Sequence, residues 1–298
     1  MDKKLLRPLG KTGFELFPVV YGGIVSMLDG QEASDRSVAW AIERGINYFD
    51  VAPQYGDAQE KLGNSLKPHR DKVYLACKTL CRSRAEAEKD FAESLRLLHT
   101  DHFDVYQMHA LSSQEDIDAA FARDGVLSMM LEAQAKGYVR KLGITCHTEK
   151  IALQALERHP FDTMLFPLNW QLNLRNGFGS ALCAEAKKRG VGILAMKSLI
   201  HRCWRSAEEK KQTRFKKSWC KPIDDEFLGV AAFKYAFHMG ADVLVPPGNF
   251  ESFSFAVENI EKILATPLDT ADLALLRKEF ANVHDEPFLG DNGEMISR

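Results

Sequence analysis

Short apolar runs alternate with longer amphipathic segments along most of the chain. The longer segments carry apolar residues at three- and four-residue steps, the spacing of one helix face, as in Ser34–Arg44, Arg84–Leu98 and Leu228–Met239. The short runs have the length and the β-branched, apolar composition of strands. They are Phe17–Ile24, Asn47–Ala52, Val73–Thr79, Phe103–Ala110, Lys141–Cys146, Thr163–Asn169, Val191–Lys197 and Asp242–Gly248.

Glycines punctuate this alternation at one recurring place. Gly45, Gly137, Gly190 and Gly240 each follow a helical segment and precede a strand, where a left-handed residue commonly ends a helix. Repeated strand–helix units predict the α/β class and a (β/α)8 TIM barrel, as one domain over residues 1–298. The alternative is a doubly wound open sheet, which normally carries Gly-x-Gly-x-x-Gly after its first strand. That motif is absent after the first predicted strand, so the barrel is favoured.

Three segments fall outside the barrel units. Lys4–Pro18 predicts an N-terminal β-hairpin around a glycine-rich turn, and Leu268–Phe280 predicts an extra C-terminal helix. Ile200–Asp224, between the seventh strand and the seventh helix, is predicted to be irregular. Irregular segments of this length are usually functional or disordered. The sequence alone assigns no role to it.

Composition excludes several classes of partner. The 298 residues contain 39 Lys and Arg against 41 Asp and Glu, a net charge of −2, so no nucleic-acid partner is expected. No run of about eighteen apolar residues occurs, so no membrane partner is expected, and the first residues lack the apolar segment of a secretory signal. The six cysteines contain no Cys-x-x-Cys pair, which favours reduced thiols over a zinc or iron–sulfur site. These features predict a cytoplasmic protein and leave its oligomeric state open.

Ionisable side chains occur at consecutive predicted strand ends. Asp50 and Lys78 lie at the ends of the second and third predicted strands, Tyr55 follows Asp50, and His109 lies at the end of the fourth. In a (β/α)8 barrel these ends meet on the face where active sites lie. A lysine on a buried strand needs a neutralising partner, and Asp50 on the adjacent strand is the natural one.

This set of side chains suits the reduction of a carbonyl group. A tyrosine phenol has an ordinary pKa of about 10, which a neighbouring ammonium lowers. A neutral histidine can donate a hydrogen bond to a carbonyl oxygen on which negative charge develops. The hydride itself has to come from a cofactor. The residues therefore predict a cofactor-dependent hydride transfer to C=O in which a tyrosine protonates the oxygen.

Several separately spaced motifs, in the same order, carry a resemblance to a known family. They are Phe49–Gly56 with Glu60–Gly63, Arg70–Thr79, Ser94–His109 and Gly137–Thr145. Through them the chain resembles the aldo-keto reductase superfamily over nearly its whole length. The resemblance implies an NAD(P)H-dependent oxidoreductase that reduces a small aldehyde or ketone.

The resemblance also implies a catalytic tetrad of Asp50, Tyr55, Lys78 and His109. Tyr55 would be the general acid in reduction, Lys78 with Asp50 would depress its pKa, and His109 would orient the carbonyl. Two alternatives stay open. Some barrels of this family are cofactor-binding accessory or redox-sensing subunits with slow turnover. A metal-dependent barrel hydrolase could start from His109 and His147, but no carboxylate ligand can be named, so no metal site is predicted.

The implied cofactor is an extended nicotinamide dinucleotide across the strand ends, usually NADP(H). Thr145 and Asn169 would bind its carboxamide, and Met196 would lie against the nicotinamide ring. Residues after the eighth strand would approach the adenosine phosphate, and Glu258 and Asn259 the adenine. The candidate cofactor-binding residues are Gly22, Gly23, Asp50, Thr145, Asn169, Met196, Lys197, Pro247, Gly248, Asn249, Glu258 and Asn259.

Three departures from the family pattern bear on the cofactor. Cys146 stands where the family often has an asparagine beside the nicotinamide. Gly248–Phe255 contains no cation to bind a 2′-phosphate, so NAD(H) stays an option beside NADP(H). Lys210–Pro222 is rich in Lys and Arg and is interpreted as a solvated loop, with folding over the cofactor as the alternative. The candidate pocket walls are Trp170, Trp204 and Trp219, and the natural substrate stays open.

Overall fold

A hairpin closes the amino-terminal end of the molecule. The computed structural model describes residues 5–291 and 293, so Lys4 of the predicted hairpin lies outside the described residues. Strand β1 (Arg7–Pro8) pairs antiparallel with β2 (Glu15–Leu16), which confirms the hairpin. Leu9 and Phe14, at the turn, are buried among side chains from inside the barrel.

Eight parallel strands form the barrel sheet, as predicted. The first seven are β3 (Tyr21–Gly22), β4 (Tyr48–Asp50), β5 (Tyr74–Thr79), β6 (Phe103–Leu111), β7 (Val139–Cys146), β8 (Thr163–Pro167) and β9 (Gly192–Met196). A ribbon of β10 (Ile200–Arg202) and β11 (Lys221–Pro222) follows, and β12 (Val243–Val245) completes the barrel. The order is β12-β9-β8-β7-β6-β5-β4-β3, and Val19, just before β3, bridges Leu244 of β12, so the sheet closes on itself.

Helices alternate with these strands and confirm the (β/α)8 prediction. They are α1 (Gln31–Glu43), α2 (Ala58–Leu66), α3 (Arg84–Leu97), α4 (Gln114–Ala120), α5 (Val126–Ala135), α6 (Glu149–Arg158), α7 (Trp170–Asn176), α8 (Ser180–Arg189), α9 (Ala207–Lys211), α10 (Glu226–Met239), α11 (Phe250–Glu258), α12 (Ile260–Ala265) and α13 (Thr270–Val283). Short 3₁₀ helices occupy Gly23–Ser26 and Lys67–Lys72. Helix α13 is the predicted extra C-terminal helix. The four punctuating glycines all have positive φ, between 75° at Gly190 and 118° at Gly240.

Two predicted segments differ from the structure. The first strand was expected over Phe17–Ile24, but the chain turns into a 3₁₀ helix at Gly23. At this position a Cβ would lie 2.7 Å from Cγ2 of Val51, so the backbone approaches the next strand too closely for any other residue. Ile200–Asp224 is not irregular throughout, because β10 and β11 pair and α9 lies between them. Residues 203–220, between the two strands of this ribbon, are called the covering segment below.

The core has two parts. One apolar cluster fills the barrel interior, and a larger one lies between the strands and the surrounding helices. Over residues 5–291 and 293, no helix is both long and apolar enough to cross a membrane. The interior cluster fills the barrel itself. The open space lies beyond this cluster, at the carboxyl ends of the strands.

Candidate active site

A cavity opens at the carboxyl ends of the barrel strands. The covering segment contributes Lys217, Ser218, Trp219 and Cys220 to one wall. The remaining walls come from the strand ends, where the predicted chemistry was placed. Of the predicted site residues, the cavity brings together Gly22, Asp50, Tyr55, His109, Thr145, Met196, Lys197, Pro247 and Gly248.

Lys78 and Asp50 form a buried ion pair at the bottom of this cavity. The parallel register of β4 and β5 places Asp50 beside Ala76, two positions before Lys78, and Lys78 Nζ donates a hydrogen bond to Asp50 Oδ1. Both side chains are buried, Lys78 completely. Burial opposes the charge on the lysine, but the carboxylate outweighs burial and raises the pKa of Lys78 to about 12. Lys78 therefore stays charged at neutral pH.

Gln107 is a third member of this buried network, and sequence reasoning missed it. It lies on β6 opposite Lys78 of β5, and its Nε2 lies 2.7 Å from Asp50 Oδ2. Its side chain is completely buried. An amide within the apolar run of β6 was the signal that could have found it. Both carboxylate oxygens of Asp50 thus receive a donor, which holds the ammonium of Lys78 in place.

Tyr55 lies in the turn after β4, above the ion pair. Its ring centre is 5.1 Å from Lys78 Nζ. Burial raises the pKa of Tyr55 above its ordinary value, Lys78 lowers it, and the charge of Asp50 raises it again. The net direction is the reverse of the depression expected from the sequence, because burial of the phenol outweighs the cation. Lys78 still lowers this pKa relative to an equally buried tyrosine without a neighbouring cation.

His109 lies at a bulge in β6, and this bulge directs its side chain into the cavity. The register of β6 against β7 shifts here, and Ala110 has a φ of 51°. Arg82 Nη2 holds the bulge by donating to the carbonyls of His109 (2.9 Å) and Ala110 (3.1 Å). The hydroxyl of Thr145 accepts the N–H of Ala110 at 2.7 Å. Thr145 therefore supports the bulge while it lines the cavity.

His109 is a neutral hydrogen-bonding group in this setting. Burial, with the positive charge of Lys78 as the second cause, lowers the pKa of His109 to about 3. Its ring meets that of Tyr55 edge to face, with centres 6.2 Å apart. Its Nδ1 lies 3.2 Å from Oε1 of Gln54. In a neutral imidazole one nitrogen donates a hydrogen bond and the other accepts one. The orientation of the Gln54 amide fixes the role of Nδ1, and Nε2 takes the other role.

Lys217 fastens the covering segment to the opposite wall of the cavity. Its ammonium pairs with Asp29 and donates to the carbonyl of Val25 at 2.8 Å. Its backbone N–H donates to Oδ1 of Asn249 at 2.9 Å, which links the segment to the start of α11. The interpretation of a solvated basic loop fits Arg214 and the other exposed cations of this stretch, but it does not fit Lys217.

The start of α11 carries buried polar atoms without a partner. Asn249 Nδ2 and Ser252 Oγ are both buried and make no hydrogen bond with the described residues. Asn249 precedes the helix without capping it through its side chain. Buried donors at a helix N-terminus are a suitable place for an anionic phosphate oxygen. The start of α11, directly after Gly248 of the cavity wall, therefore fits the phosphates of a dinucleotide.

A family comparison identifies the barrel. The model of the aldo/keto reductase family matches residues 26–275. The chain belongs to this family. It is 29% identical over 221 residues to L-galactose dehydrogenase of Arabidopsis thaliana, which covers 67% of this chain and 66% of that protein. It is also 28% identical over 129 residues to an aldo-keto reductase of Bacillus subtilis, which covers 39% of this chain and 37% of that protein.

The matched stretches thus span less than two thirds of the length of these two relatives. Among solved structures, an aldo-keto reductase of Bombyx mori in complex with NADP superposes with a TM-score of 0.66. That likeness covers 94% of this chain and 97% of the other at 17% identity, and it concerns the fold.

Asn169 of this aldo-keto reductase does not reach the cavity as expected. Its side chain is completely buried, and its Oδ1 accepts the backbone N–H groups of Gln171 and Leu172 in α7. Its Nδ2 donates to the carbonyls of Lys197 (3.0 Å) and Ile200 (2.9 Å). Its Oδ1 thus caps α7 and its Nδ2 holds the turn after β9, so little hydrogen-bonding capacity is left for a carboxamide.

Other expected cofactor contacts also lie away from the cavity. Gly23 packs against Val51, and Glu258 is exposed at the end of α11. Asn259 Nδ2 donates to the carbonyl of Phe255 at 3.0 Å. Cys146, the departure beside the expected nicotinamide site, is completely buried.

Of the three candidate tryptophans, one lines the cavity and two do not. Trp170 is completely buried in the core, so its assignment as a pocket wall is wrong. Trp204 donates to the carbonyl of Ser218 at 3.0 Å and braces the covering segment from within. Trp219 lines the cavity and is 64% exposed. One of the three candidates therefore stands at the cavity mouth.

His147 lines the cavity beside His109. Burial, with Lys197 as the second cause, lowers the pKa of His147 to about 4. No group of three or more His, Cys, Asp or Glu side chains within residues 5–291 and 293 is arranged to hold a metal ion. His147 therefore stands as a neutral side chain of the cavity wall.

Proposed function

We propose that this aldo-keto reductase transfers hydride between a nicotinamide cofactor and a small aldehyde or ketone, with Tyr55 as general acid in the reduction. The observation that carries the proposal is the position of Tyr55 at the cavity wall, with its ring centre 5.1 Å from the ammonium of the buried Lys78–Asp50 pair. Membership of the family supports NAD(P)H-dependent carbonyl chemistry in general.

Each side chain of the candidate site has its own role in the reduction. Tyr55 gives its proton to the carbonyl oxygen as that oxygen becomes negative. The phenolate that is left is stabilised by Lys78, whose charge is held in turn by Asp50. With the Gln54 amide turned so that its nitrogen donates to Nδ1, neutral His109 offers its Nε2–H as a hydrogen bond that positions the carbonyl. The nicotinamide supplies the hydride when the cofactor is bound.

The residues that would hold the cofactor come from the strand ends, the start of α11 and the covering segment. Thr145 and Met196 line the cavity where the family places the nicotinamide. Asn249 and Ser252 offer buried, unpartnered polar atoms at the start of α11 for the phosphates. Lys217, which already bonds to Asn249, brings a positive charge to the same end.

The family resemblance favours NADP(H) over NAD(H) as the cofactor. No cation occurs in Gly248–Phe255, so a 2′-phosphate would depend on Lys217 of the covering segment. NAD(H) is the alternative if Lys217 stays with Asp29 when the cofactor binds. A fluorescence titration of the wild-type protein with NADPH and with NADH distinguishes the two.

Substitution of Tyr55 tests the proposal. We expect Tyr55→Phe to lower the rate of carbonyl reduction about 10²- to 10⁴-fold, the usual loss when a general acid is removed. Its affinity for the cofactor, measured by nicotinamide fluorescence, should stay within about twofold of the wild type, because the hydroxyl acts on the transition state. Tyr138→Phe, at a half-exposed tyrosine away from the cavity, is the matched control.

The rates are measured with both reduced cofactors against a panel of small aldehydes and ketones. Equal turnover of Tyr55→Phe and wild type on a carbonyl that the wild type reduces contradicts the assigned role. Tight cofactor binding without turnover of any carbonyl would instead favour the accessory or redox-sensing subunit.

A further inference from the structure

The covering segment carries a cysteine at each end. Strands β10 and β11 pair antiparallel, with Arg202 opposite Lys221. Cys203 directly follows Arg202 and Cys220 directly precedes Lys221, so the two cysteines are the next residues outward along this ribbon. Directly opposite residues in such a ladder have Cα atoms about 4.5–5.5 Å apart, which lies within the span of a disulfide.

The two thiols also contact each other. The neighbouring Cys203 thiol and burial together raise the pKa of Cys220. The Cys203 sulfur lies 3.3 Å from the carbonyl oxygen of Pro287. Cys203 is partly buried, whereas Cys220 is buried and lines the cavity.

Lys197 lines the same cavity as Cys220. Lys197 follows β9 with a φ of 63°, an unusual conformation for a residue with a side chain. Burial lowers the pKa of Lys197, and Cys220 and Cys203 are the groups that oppose this effect. Among residues 5–291 and 293, no carboxylate pairs with Lys197. A cation beside a thiol favours the thiolate, which is the reactive form.

We propose that Cys203 and Cys220 are a redox site that closes into a reversible disulfide when a hydroperoxide reaches it. The Cys203 thiol releases its proton to solvent, and the thiolate attacks one oxygen of the O–O bond, so an S–O bond forms, the O–O bond breaks and the departing oxygen takes up a proton from solvent to leave as an alcohol or water. The Cys220 sulfur then attacks the Cys203 sulfur, so the S–S bond forms, the S–O bond breaks and hydroxide leaves as water with the thiol proton. The thiols lose two electrons and the hydroperoxide gains them.

The remaining cysteines lack this arrangement. Cys77, Cys146 and Cys183 are buried, and none of the three lines the cavity as Cys220 does. Cys81 lies near the carboxylate of Asp90, with its sulfur 3.8 Å from Oδ2, where a negative neighbour disfavours the thiolate. Oxidation should therefore select Cys203 and Cys220.

The disulfide would close residues 203–220 into a ring at the edge of the cavity. This ring contains Lys217 and Trp219, which line the cavity. Cross-linking the base of the ring should restrict its opening and slow the exchange of a bound cofactor. The effect on the cofactor rests on the proposed function, whereas the pairing of the cysteines does not.

Peptide mapping tests the pairing. The full chain is treated with hydrogen peroxide, alkylated, digested and analysed by mass spectrometry, with Cys203→Ser, Cys220→Ser and, as matched control, Cys183→Ser. We expect a peptide linked through Cys203 and Cys220 in the wild type and in Cys183→Ser, which dithiothreitol removes, and no such peptide in the other two variants. Sulfinic or sulfonic acid at Cys203 with Cys220 still open to alkylation, or linkage through another cysteine, overturns the proposal. If a variant fails to fold, the wild-type map alone decides.

Two further measurements separate the pairing from its effect on the cavity. Oxidation should slow tryptic cleavage after Lys211 and Arg214, two exposed sites in the ring, and should slow NADPH dissociation several-fold in stopped-flow fluorescence. Unchanged rates of both in the fully linked protein reject the locking effect. If neither NADPH nor NADH binds the reduced protein, the proposed function fails, and the peptide map with the cleavage rates still decides the redox site.

Discussion

The amide nitrogen of Gln107 lies 2.7 Å from Oδ2 of Asp50, and both side chains are buried below the cavity. Because Lys78 donates to the other carboxylate oxygen, Asp50 is held on both sides, and the position of the ammonium under Tyr55 depends on both bonds. The site thus rests on a three-residue network that spans β4, β5 and β6.

Loss of Gln107 should therefore affect catalysis as well as stability. We expect Gln107→Leu to cost about 1–3 kcal/mol of unfolding free energy, because a buried carboxylate oxygen loses its donor. We also expect kcat to fall several-fold with cofactor affinity nearly unchanged. Gln59→Leu is the matched control, since the buried amide of Gln59 donates to Ser94 at 2.8 Å outside the site. In urea unfolding, Gln59→Leu should lose a comparable free energy of unfolding, and it should keep the wild-type kcat. An equal loss of kcat in both variants would show that Gln107 has only a structural role.

Replacement of Lys78 should move the pH dependence of the reaction. Lys78 lowers the pKa of Tyr55 against the effect of burial, so Lys78→Met should raise that pKa further. Alcohol oxidation needs the phenolate, and its rate should therefore begin to rise at a higher pH than in the wild type. The variant should also lose about 3–5 kcal/mol of stability, because the Asp50 charge is left buried without its partner.

Two companion variants isolate this effect. Asp50→Asn combined with Lys78→Met should recover part of the stability but none of the activity. Lys234→Met removes another buried pair, between Lys234 and Asp272 at 2.9 Å, and should leave the pH profile in place. A pH profile of Lys78→Met that coincides with the wild-type profile would disprove the coupling to Tyr55.

The two cavity histidines should make the fold less stable in mild acid. The pKa of His109 is lowered to about 3 and that of His147 to about 4, below the ordinary value of about 6.5. Between these values the unfolded chain takes up protons that the folded protein does not, so stability falls as the pH drops from about 6.5 toward 4. We expect His109→Gln and His147→Gln each to reduce the slope of Tm against pH in this window. His238→Gln changes an exposed histidine and should keep the wild-type slope of Tm against pH. The same slope in all three variants would contradict the prediction.

Lys217 should set the preference for a 2′-phosphate. If Lys217 turns from Asp29 to the cofactor, Lys217→Met should weaken NADPH binding about tenfold or more, the effect of losing a charge-assisted hydrogen bond, and should weaken NADH binding much less. Lys216→Met changes the exposed neighbouring lysine and should leave both affinities as they are. The titration is read from nicotinamide fluorescence, and equal losses for the two cofactors would exclude contact of Lys217 with the 2′-phosphate.

Local patterns in the sequence determined the elements and most of the catalytic set. The spacing of apolar residues and the punctuating glycines depend on neighbours a few positions apart, so they predicted the strands, the helices and the barrel. Asp50, Lys78 and His109 could be named because parallel strands end on one face, and Lys78 required an acidic partner on the next strand. The catalytic roles of these three residues and of Tyr55 remain proposals.

The tertiary structure decided what depends on residues distant in the chain. The bond from Gln107 to Asp50 comes from the register of three strands, and the bonds that occupy the Asn169 amide nitrogen come from a turn after β9, so neither leaves a local pattern. The pKa of Tyr55 moves up rather than down because burial, which depends on how the whole chain packs, outweighs the nearby cation. The pairing of β10 with β11 likewise faces Cys203 with Cys220 across a segment that the sequence describes only as long and basic. Pair distances and desolvation are properties of the packed chain, and a one-dimensional pattern of residue types does not contain them.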